Sequence, residues 1–460
     1  MLRLSPLLNK RIATAHALRL ASSFHTTATV SMALTASQVD IVKSTAPVLK
    51  QHGDTITRVF YANMLAAHPE LKNYFSLRNQ ATGAQQAALA ASVLAYASFI
   101  DDLPRLTHAV ERIAQKHSSL FVRPEQYAIV GEHLVGAFAQ VLGDALTPDV
   151  ADAWTAAYAQ LASVFIGRER QLYEQPGHWQ DWREFVITKK EDVSEGVVSF
   201  YLEPADREPL PSFLPGQYVS VQLPIEELGG LLQSRQYSLS AAPGDPVTSY
   251  RVTVKAEPDA AGVDPSDVQS LAAGAIAGIV GNRLHARYRV GDKVQLSSPR
   301  GEFVFDTAAM AADAPVVLLS AGVGATPLLS MLDTIRGSNA TQCGAAPRAV
   351  TWAHAARNAN AVCYGQHVRQ AAADANANVT ARVFLSNVAE EDKVGEDYDY
   401  KGRFDLEKLV ADKVLPLETP EAEYFLCGPK DWMVQVRGDL KANGVSLDKI
   451  HLELFATGDV

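Results

Sequence analysis

Two segments in the last third of the chain have the chemistry of a nucleotide site. Each follows a short apolar run, 316–320 in one case and 424–426 in the other. Small residues at such a turn let backbone N–H groups and the start of a helix approach a diphosphate. The segments are Ala321-Gly322-Val323-Gly324-Ala325-Thr326-Pro327 and Cys427-Gly428-Pro429. Pro327 replaces the third glycine of the usual dinucleotide fingerprint, which argues against an ordinary Rossmann dehydrogenase.

A third segment, in the middle of the chain, combines a cation, an aromatic ring and hydroxyl groups. It reads Arg235-Gln236-Tyr237-Ser238 and is preceded by Pro215-Gly216-Gln217-Tyr218. Arg235 offers a planar fork for a diphosphate, Tyr237 a flat surface for a conjugated ring, and Ser238 a hydroxyl for a ring nitrogen. Taken alone, arginine and tyrosine on one strand more often form an exposed ladder.

His117 ends a helical stripe of apolar residues. The stripe has three-to-four spacing and consists of Leu103, Leu106, Val110, Ile113 and Ala114. The spacing predicts that His117 points inward and that His108, nine residues earlier, faces solvent. An inward imidazole can ligate a metal, but on this pattern alone it is more often a hydrogen-bonded core residue.

Hydrophobic periodicity divides the chain into three regions. Residues 35–173 have helical spacing with breaks at prolines and predict six to eight helices. From Phe185 to Lys255 the period is two, which predicts an antiparallel β-barrel. From Ala314 strands and helices alternate, which predicts a parallel sheet with helices on both faces. We therefore expect a multidomain protein with an all-α domain at 32–175, a β-barrel at 179–306 and an α/β domain at 307–460.

Composition excludes several classes of protein. The net charge of −10 is the wrong sign for a nucleic-acid partner. The three cysteines, Cys343, Cys363 and Cys427, cannot build a disulfide framework or a covalent haem attachment through Cys-x-x-Cys-His. Since Gly and Pro interrupt every long apolar stretch, we expect no transmembrane segment.

The first 31 residues differ from the rest. They carry four bases and many Ser, Thr, Ala and Leu residues, and no acid occurs before Asp40. This is the composition of a mitochondrial transit peptide, although a plain solvated tail remains the alternative. Met32 offers a second start, and Thr35 a cap for the first helix. We expect the protein in both the mitochondrial matrix and the cytoplasm, from starts at Met1 and Met32.

The helical region resembles the globin domain of flavohaemoglobins. The resemblance is carried by Val59-Phe60-Tyr61, Pro69-Glu70-Leu71-Lys72-Asn73-Tyr74-Phe75, Gln85, Leu89, Gln115-Lys116-His117, Arg123-Pro124-Glu125-Gln126-Tyr127 and Phe165-Ile166-Gly167-Arg168-Glu169. It implies haem b with His117 as the proximal iron ligand and Phe75 against the porphyrin. It also implies that Tyr61, Gln85 and Leu89 line the distal pocket, while Tyr127 and Glu169 hydrogen-bond on the proximal side. With its leader, the chain resembles the eukaryotic, fungal-like members.

The remaining two regions resemble the ferredoxin reductase superfamily. The resemblance assigns Tyr218 and residues 235–238 to FAD, and the two glycine-containing segments to NAD(P)H. Phe455, in His451-Leu452-Glu453-Leu454-Phe455, matches an aromatic ring that covers the flavin, although Ala456-Thr457-Gly458 departs from the usual Gly-Pro. Between Lys255 and Leu284 the chain is longer than the compact bacterial type, and we expect a surface loop around 258–280.

Together these resemblances imply an NAD(P)H-dependent nitric oxide dioxygenase. Electrons would pass from NAD(P)H to FAD to haem, and bound O₂ would oxidise NO to nitrate. Two alternatives remain, namely an NAD(P)H-dependent haem or flavin reductase and a globin-coupled gas sensor. We expect O₂ and NO as substrates and a monomer, with a dimer left open.

Overall fold

The computed structural model describes residues 33–175, 177–257, 278–311, 313–341 and 347–455. The predicted leader at 1–31, the start at Met32 and most of the predicted loop at 258–280 lie outside these residues. The described residues form two compact units that divide between Gln175 and Pro176.

The first unit is entirely helical, as predicted. Thr35 caps its first helix through a reciprocal capping box with Gln38, and prolines stand in the first turn of three later helices. Its seven α-helices within 33–175 are α1 (Ala36–Ser44), α2 (Ala46–Ala67), α3 (Leu77–Thr82), α4 (Ala84–Phe99), α5 (Thr107–Ser119), α6 (Pro124–Leu142) and α7 (Pro148–Tyr173).

Two apolar clusters hold this helical unit together. The larger buries Ile56, Phe60 and Met64 of α2 against Phe138 of α6 and Trp154 of α7. The smaller gathers apolar residues from α5, α6 and α7 around Ala114 and Phe165. The smaller cluster therefore places the inner face of α5, which carries His117, against α7, whereas His108 on the same helix is exposed, as predicted.

The second unit begins with a six-stranded antiparallel sheet. Its strands are β1 (Arg183–Ser194), β2 (Val197–Pro204), β3 (Tyr218–Ile225), β4 (Leu231–Ser238), β5 (Tyr250–Lys255) and β6 (Lys293–Leu296). The spatial order is β4-β3-β6-β1-β2-β5. The two outer strands meet just beyond β4, where Leu239 pairs with Val252 and the N–H of Ser240 donates to the carbonyl of Arg251 at 2.9 Å. This closure makes the sheet a barrel.

A six-stranded parallel sheet with flanking helices completes the second unit. Its order is β10-β9-β8-β7-β11-β12. The strands are β7 (Val316–Ala321), β8 (Val350–Ala356), β9 (Val379–Leu385), β10 (Tyr400–Lys401), β11 (Glu423–Cys427) and β12 (Ile450–Glu453). The helices of this unit are α8 (Ile279–Ala286), α9 (Ala325–Thr341), α10 (Gly365–Ala373), α11 (Leu406–Ala411) and α12 (Lys430–Ala442), of which α8 belongs to the barrel.

The fold class predicted from the sequence is confirmed, with one local difference. Immediately after the predicted loop around 258–280, the chain forms the helix α8 (Ile279–Ala286), which contacts β4 and β5. Lys190 of β1 caps the end of α8 by donating to the carbonyls of Leu284, His285 and Tyr288. Within the described residues, no helix is long and apolar enough to cross a bilayer.

Candidate functional site

Three helices bring His117, Tyr127 and Glu169 together. His117 Nδ1 lies 2.9 Å from Glu169 Oε1 and 2.9 Å from the Tyr127 hydroxyl, and that hydroxyl donates to Glu169 Oε1 at 2.5 Å. Glu169 is only 2% exposed, so these contacts replace its hydration. The Phe165 ring lies 5.8 Å from the imidazole. The geometry therefore joins α5, α6 and α7 at one polar point.

The hydrogen positions in this triad follow from its donors. The Tyr127 hydroxyl donates its only hydrogen to Glu169. Nδ1 of His117 must therefore carry the hydrogen that the Tyr127 and Glu169 oxygens accept. Burial and the nearby Glu169 carboxylate raise the pKa of Tyr127, which keeps its hydroxyl protonated. In the neutral imidazole this leaves Nε2 as the nitrogen with a free lone pair, which is the form that ligates iron. The donor set fits a haem.

A second contact supports the triad and was not predicted from the sequence. Arg168, next to Glu169, makes a two-pronged ion pair with Glu111 of α5, at 2.6 Å through Nε and 2.8 Å through Nη2. Gln115 also donates to Glu111 at 2.8 Å. This contact fixes α5 against α7 within two turns of His117. The only sequence signal was the i,i+4 spacing of Glu111 and Gln115.

The predicted distal residues lie on α2 and α4. Tyr61 is buried, and a side-chain hydrogen bond joins it to Gln85 in the first turn of α4. Burial raises the pKa of Tyr61, so its hydroxyl keeps the hydrogen that it can offer. The Phe75 ring stands edge-on to Tyr61 with centroids 5.4 Å apart. Leu89, one turn after Gln85, packs against the same cluster.

In the barrel, the flavin motif occupies β4 beside β3. Tyr218 pairs with Ser238, and Val219 with Tyr237. Arg235 donates to the carbonyl of Ser234 at 2.7 Å, and the pKa of Tyr237 is raised by burial. Arg235 and Tyr237 are half-buried, so the alternative of an exposed ladder does not hold.

Two glycines show close approach around this motif. A Cβ on Gly301 would lie 3.1 Å from the Tyr218 ring, and one on Gly281 of α8 would lie 3.5 Å from the Tyr237 hydroxyl. Gln236 Nε2 donates to the Ser220 hydroxyl at 3.1 Å. Bare backbone beside aromatic and polar side chains is a surface that fits FAD.

Helix α8 is the part of this site that sequence reasoning missed. Asn282 bonds the end of β5 reciprocally, since its amide donates to the Glu257 carbonyl at 3.0 Å and its oxygen accepts from the Glu257 N–H at 2.9 Å. The N-terminal turn of α8 is thereby held beside Tyr237. Gly281-Asn282 was the available signal, but the sequence analysis assigned it no role.

The two nucleotide segments meet at the carboxyl edge of the parallel sheet. Ser320 at the end of β7 pairs with Cys427 at the end of β11. A Cβ on Gly324 would lie 2.1 Å from the carbonyl oxygen of Cys427, so only glycine permits this approach. Thr326 donates to the carbonyl of Val323 at 3.0 Å, and Pro327 stands in the first turn of α9. This is a glycine cradle of the kind that fits a dinucleotide.

The other predicted residues near the carboxyl edge of the parallel sheet differ in their burial and in their neighbours. Burial raises the pKa of Cys427 well above its usual range, so its thiol is uncharged. A Cβ on Gly428 would approach the Trp432 ring at 2.8 Å, and Pro429 immediately precedes α12. Phe455, just past β12, is 49% exposed, and its role over the flavin stays a prediction.

Known proteins resemble both units. The globin family matches residues 58–165, and the oxidoreductase NAD-binding domain family matches residues 318–437. A flavohemoprotein of Bordetella pertussis is 46% identical over 425 residues, covering 91% of this chain and 98% of its own. One of Bacillus subtilis is 38% identical, covering 91% and 96%. A solved flavohemoglobin of Malassezia yamatoensis, with bound FAD and heme, is 29% identical with a TM-score of 0.76, covering 92% and 100%.

Proposed function

The chain belongs to the flavohemoprotein family, and on that premise we propose that it is an NAD(P)H-dependent nitric oxide dioxygenase with haem b, FAD and NAD(P)H as cofactors. Its proposed substrates are O₂ and NO, and its proposed state is a monomer, with a dimer as the alternative. The observation that carries the proposal is the His117–Tyr127–Glu169 triad, which fixes one imidazole tautomer.

The bound groups divide the chemistry between them. A haem supplies an iron that binds a diatomic gas and takes one electron at a time, and FAD accepts a two-electron hydride and releases single electrons. A nicotinamide and a haem therefore need a flavin between them. The chain contains a candidate site for each of the three groups.

In the helical unit, the proposed site residues hold the haem and polarise its surroundings. Glu169 accepts from Nδ1 of His117 and so increases the electron density at Nε2, which favours oxygen chemistry over storage. Tyr61, hydrogen-bonded to Gln85, would offer its hydroxyl hydrogen to a gas molecule held in the distal pocket. Leu89 limits the space for larger guests.

In the second unit, the proposed site residues bind and orient the nicotinamide nucleotide and the flavin. Gly322 and Gly324 let the turn before α9 approach a diphosphate, with Cys427 at the neighbouring strand end. Arg235, Tyr237 and Ser238 offer a cation, an aromatic face and a hydroxyl to the flavin.

The test replaces His117 with alanine and compares it with His108→Ala. Both residues lie on α5, but His108 is exposed and has no part in the triad. In His117→Ala we expect the Soret absorbance and NADH-dependent NO consumption to vanish together, while reduction of ferricyanide survives. In His108→Ala the Soret absorbance, the NO consumption and the ferricyanide reduction should all remain. A reductase that does not use its globin predicts unchanged turnover in both variants, and that result would refute the proposal.

We also propose that residues 1–31 are a mitochondrial transit peptide and that Met32 starts a cytoplasmic form. Support comes from the four bases and the lack of acids before Asp40. On the same ground we propose that the chain is one of the eukaryotic, fungal-like members of the family.

A further inference from the structure

The edge at which the barrel closes is lined by hydroxyl groups. We call this edge the seam and define it as Leu239, Ser240, Arg251 and Val252, with the adjoining Thr253. The Thr253 hydroxyl lies 2.7 Å from Ser199 Oγ and 2.9 Å from Ser240 Oγ, and all three residues are buried. The seam is thus a polar cluster inside the protein, two residues beyond Ser238 of the flavin motif.

A tyrosine from the parallel-sheet part reaches this cluster. Tyr364 immediately precedes α10, and its hydroxyl donates to Thr253 Oγ1 at 2.6 Å. The Arg251 guanidinium lies 5.9 Å from the centre of the Tyr364 ring and donates from Nε to Ser240 Oγ at 3.1 Å. Burial raises the pKa of Tyr364, so its hydroxyl remains a donor at neutral pH. One side chain therefore joins the nucleotide fold to the seam.

The backbone of Tyr364 is held in an unfavourable conformation. Its φ is 59° and its ψ is 24°, in the left-handed region that bulky residues rarely occupy. Such a conformation is costly and persists only where surrounding contacts enforce it. The same residue is held through its side chain by the hydrogen bond to Thr253 and the contact with Arg251.

We propose that Tyr364 is a positioning residue for hydride transfer, because it fixes the distance between the flavin motif on β4 and the nucleotide turns at Gly324 and Cys427. The hydride step breaks a C–H bond of the dihydronicotinamide and places its hydrogen and both electrons in an N–H bond of the flavin. The rate of such a step falls steeply when the two reacting atoms are misplaced. The inference rests on the proposed function only in requiring that NADH reduces the flavin.

The chain offers a matched control. Tyr201, on β2 of the same barrel, donates its hydroxyl to Glu191 on the exposed surface at 2.6 Å. Tyr364→Phe and Tyr201→Phe therefore each remove one tyrosine hydroxyl, but only the first breaks a hydrogen bond between the parallel-sheet part and the barrel. Thr253→Val removes the acceptor of the Tyr364 bond from the opposite side.

The experiment follows flavin reduction by NADH in single-turnover stopped flow on the holoenzyme. In Tyr364→Phe we expect the rate at saturating NADH to fall roughly tenfold, with a larger isotope effect from NADH deuterated at the transferred position. The dissociation constant of NADH in Tyr364→Phe should change less than twofold. Thr253→Val should show the same changes in rate, isotope effect and dissociation constant as Tyr364→Phe. The double variant should be no slower than either single variant, and Tyr201→Phe should match wild type.

A second readout does not depend on turnover. Hydrogen exchange at the Ser240 amide, which bonds Arg251 across the seam, should accelerate in Tyr364→Phe and not in Tyr201→Phe. A Tyr364→Phe rate within twofold of wild type overturns the inference, as does an equal loss in Tyr201→Phe. Failure of NADH to reduce wild-type flavin would instead overturn the proposed function.

Discussion

At the scale of single residues, the helical unit concentrates its polar chemistry on one carboxylate. Glu169 accepts from both His117 and Tyr127, and its burial excludes competing water. A buried carboxylate is costly unless its lone pairs are satisfied, so this arrangement is maintained by the donors that surround it. The same carboxylate increases the basicity of the imidazole, which links the packing of α7 to the chemistry of the proposed iron ligand.

Glu169→Gln tests this link. The amide keeps nearly the same shape but is a weaker, neutral acceptor, so Nε2 of His117 should donate less electron density. We expect the iron–histidine stretching frequency in the resonance Raman spectrum to fall and NO consumption to drop about tenfold. Glu174→Gln is the control, because this exposed residue follows α7 and contacts only Arg170, at 3.9 Å, among the ion pairs found. An unchanged stretching frequency in Glu169→Gln would contradict the assigned role.

The types and spacing of the residues predicted the site formed by His117, Tyr127 and Glu169 only in part. A stripe of apolar residues placed His117 on the inner face of α5, but it did not distinguish an iron ligand from a core histidine. The resemblance to flavohaemoglobins supplied Tyr127 and Glu169. The Arg168–Glu111 ion pair joins residues 57 positions apart, and no local pattern encodes such a pair.

At the scale of elements, the nucleotide site depends on two turns that approach closely. Gly324→Ala would put a methyl group 2.1 Å from the carbonyl oxygen of Cys427, so the turn before α9 or the end of β11 must move. We expect NADH-dependent flavin reduction to fall at least roughly a hundredfold, since a shift of about 1 Å has that effect. Measured flavin and haem contents should stay at wild-type values.

Gly438→Ala serves as its control. Gly438 lies inside α12, where a Cβ would meet nothing within 4 Å. Alanine should therefore leave flavin reduction unchanged and raise the free energy of unfolding by about 1 kcal/mol. If Gly324→Ala reduced its flavin as fast as Gly438→Ala, the two turns would not form the nucleotide site.

Periodicity predicted most elements of the second unit because its strands are short apolar runs between Gly and Pro. It did not predict α8, whose Gly281 and Asn282 are typical of turns. Long-range contacts decide the outcome there, namely the reciprocal bonds of Asn282 with Glu257 and the capping by Lys190. Tertiary contacts of this kind override local propensity.

At the scale of the whole molecule, a haem unit and a reductase unit share one chain and so transfer electrons without a separate carrier protein. A linked partner acts at a high effective concentration that does not depend on protein abundance. The order of the units along the chain, haem first and nicotinamide last, is the reverse of the direction in which electrons pass. The proposed transit peptide lies N-terminal to both units, so import directed by it would carry the complete electron pathway.

Deleting residues 1–31 tests whether these residues direct import into mitochondria. The remaining chain starts at Met32, retains Thr35 and its cap, and carries none of the four leader bases. Because a basic amphipathic segment is drawn to a negatively energised membrane, we expect import to fall below detection in fractionated cells, while NO consumption by the purified protein stays unchanged. Replacing Arg3, Lys10, Arg11 and Arg19 with glutamine should act alike, and Met32→Leu should remove only the cytoplasmic form. Undiminished import of the truncated chain would show that these residues are a plain tail.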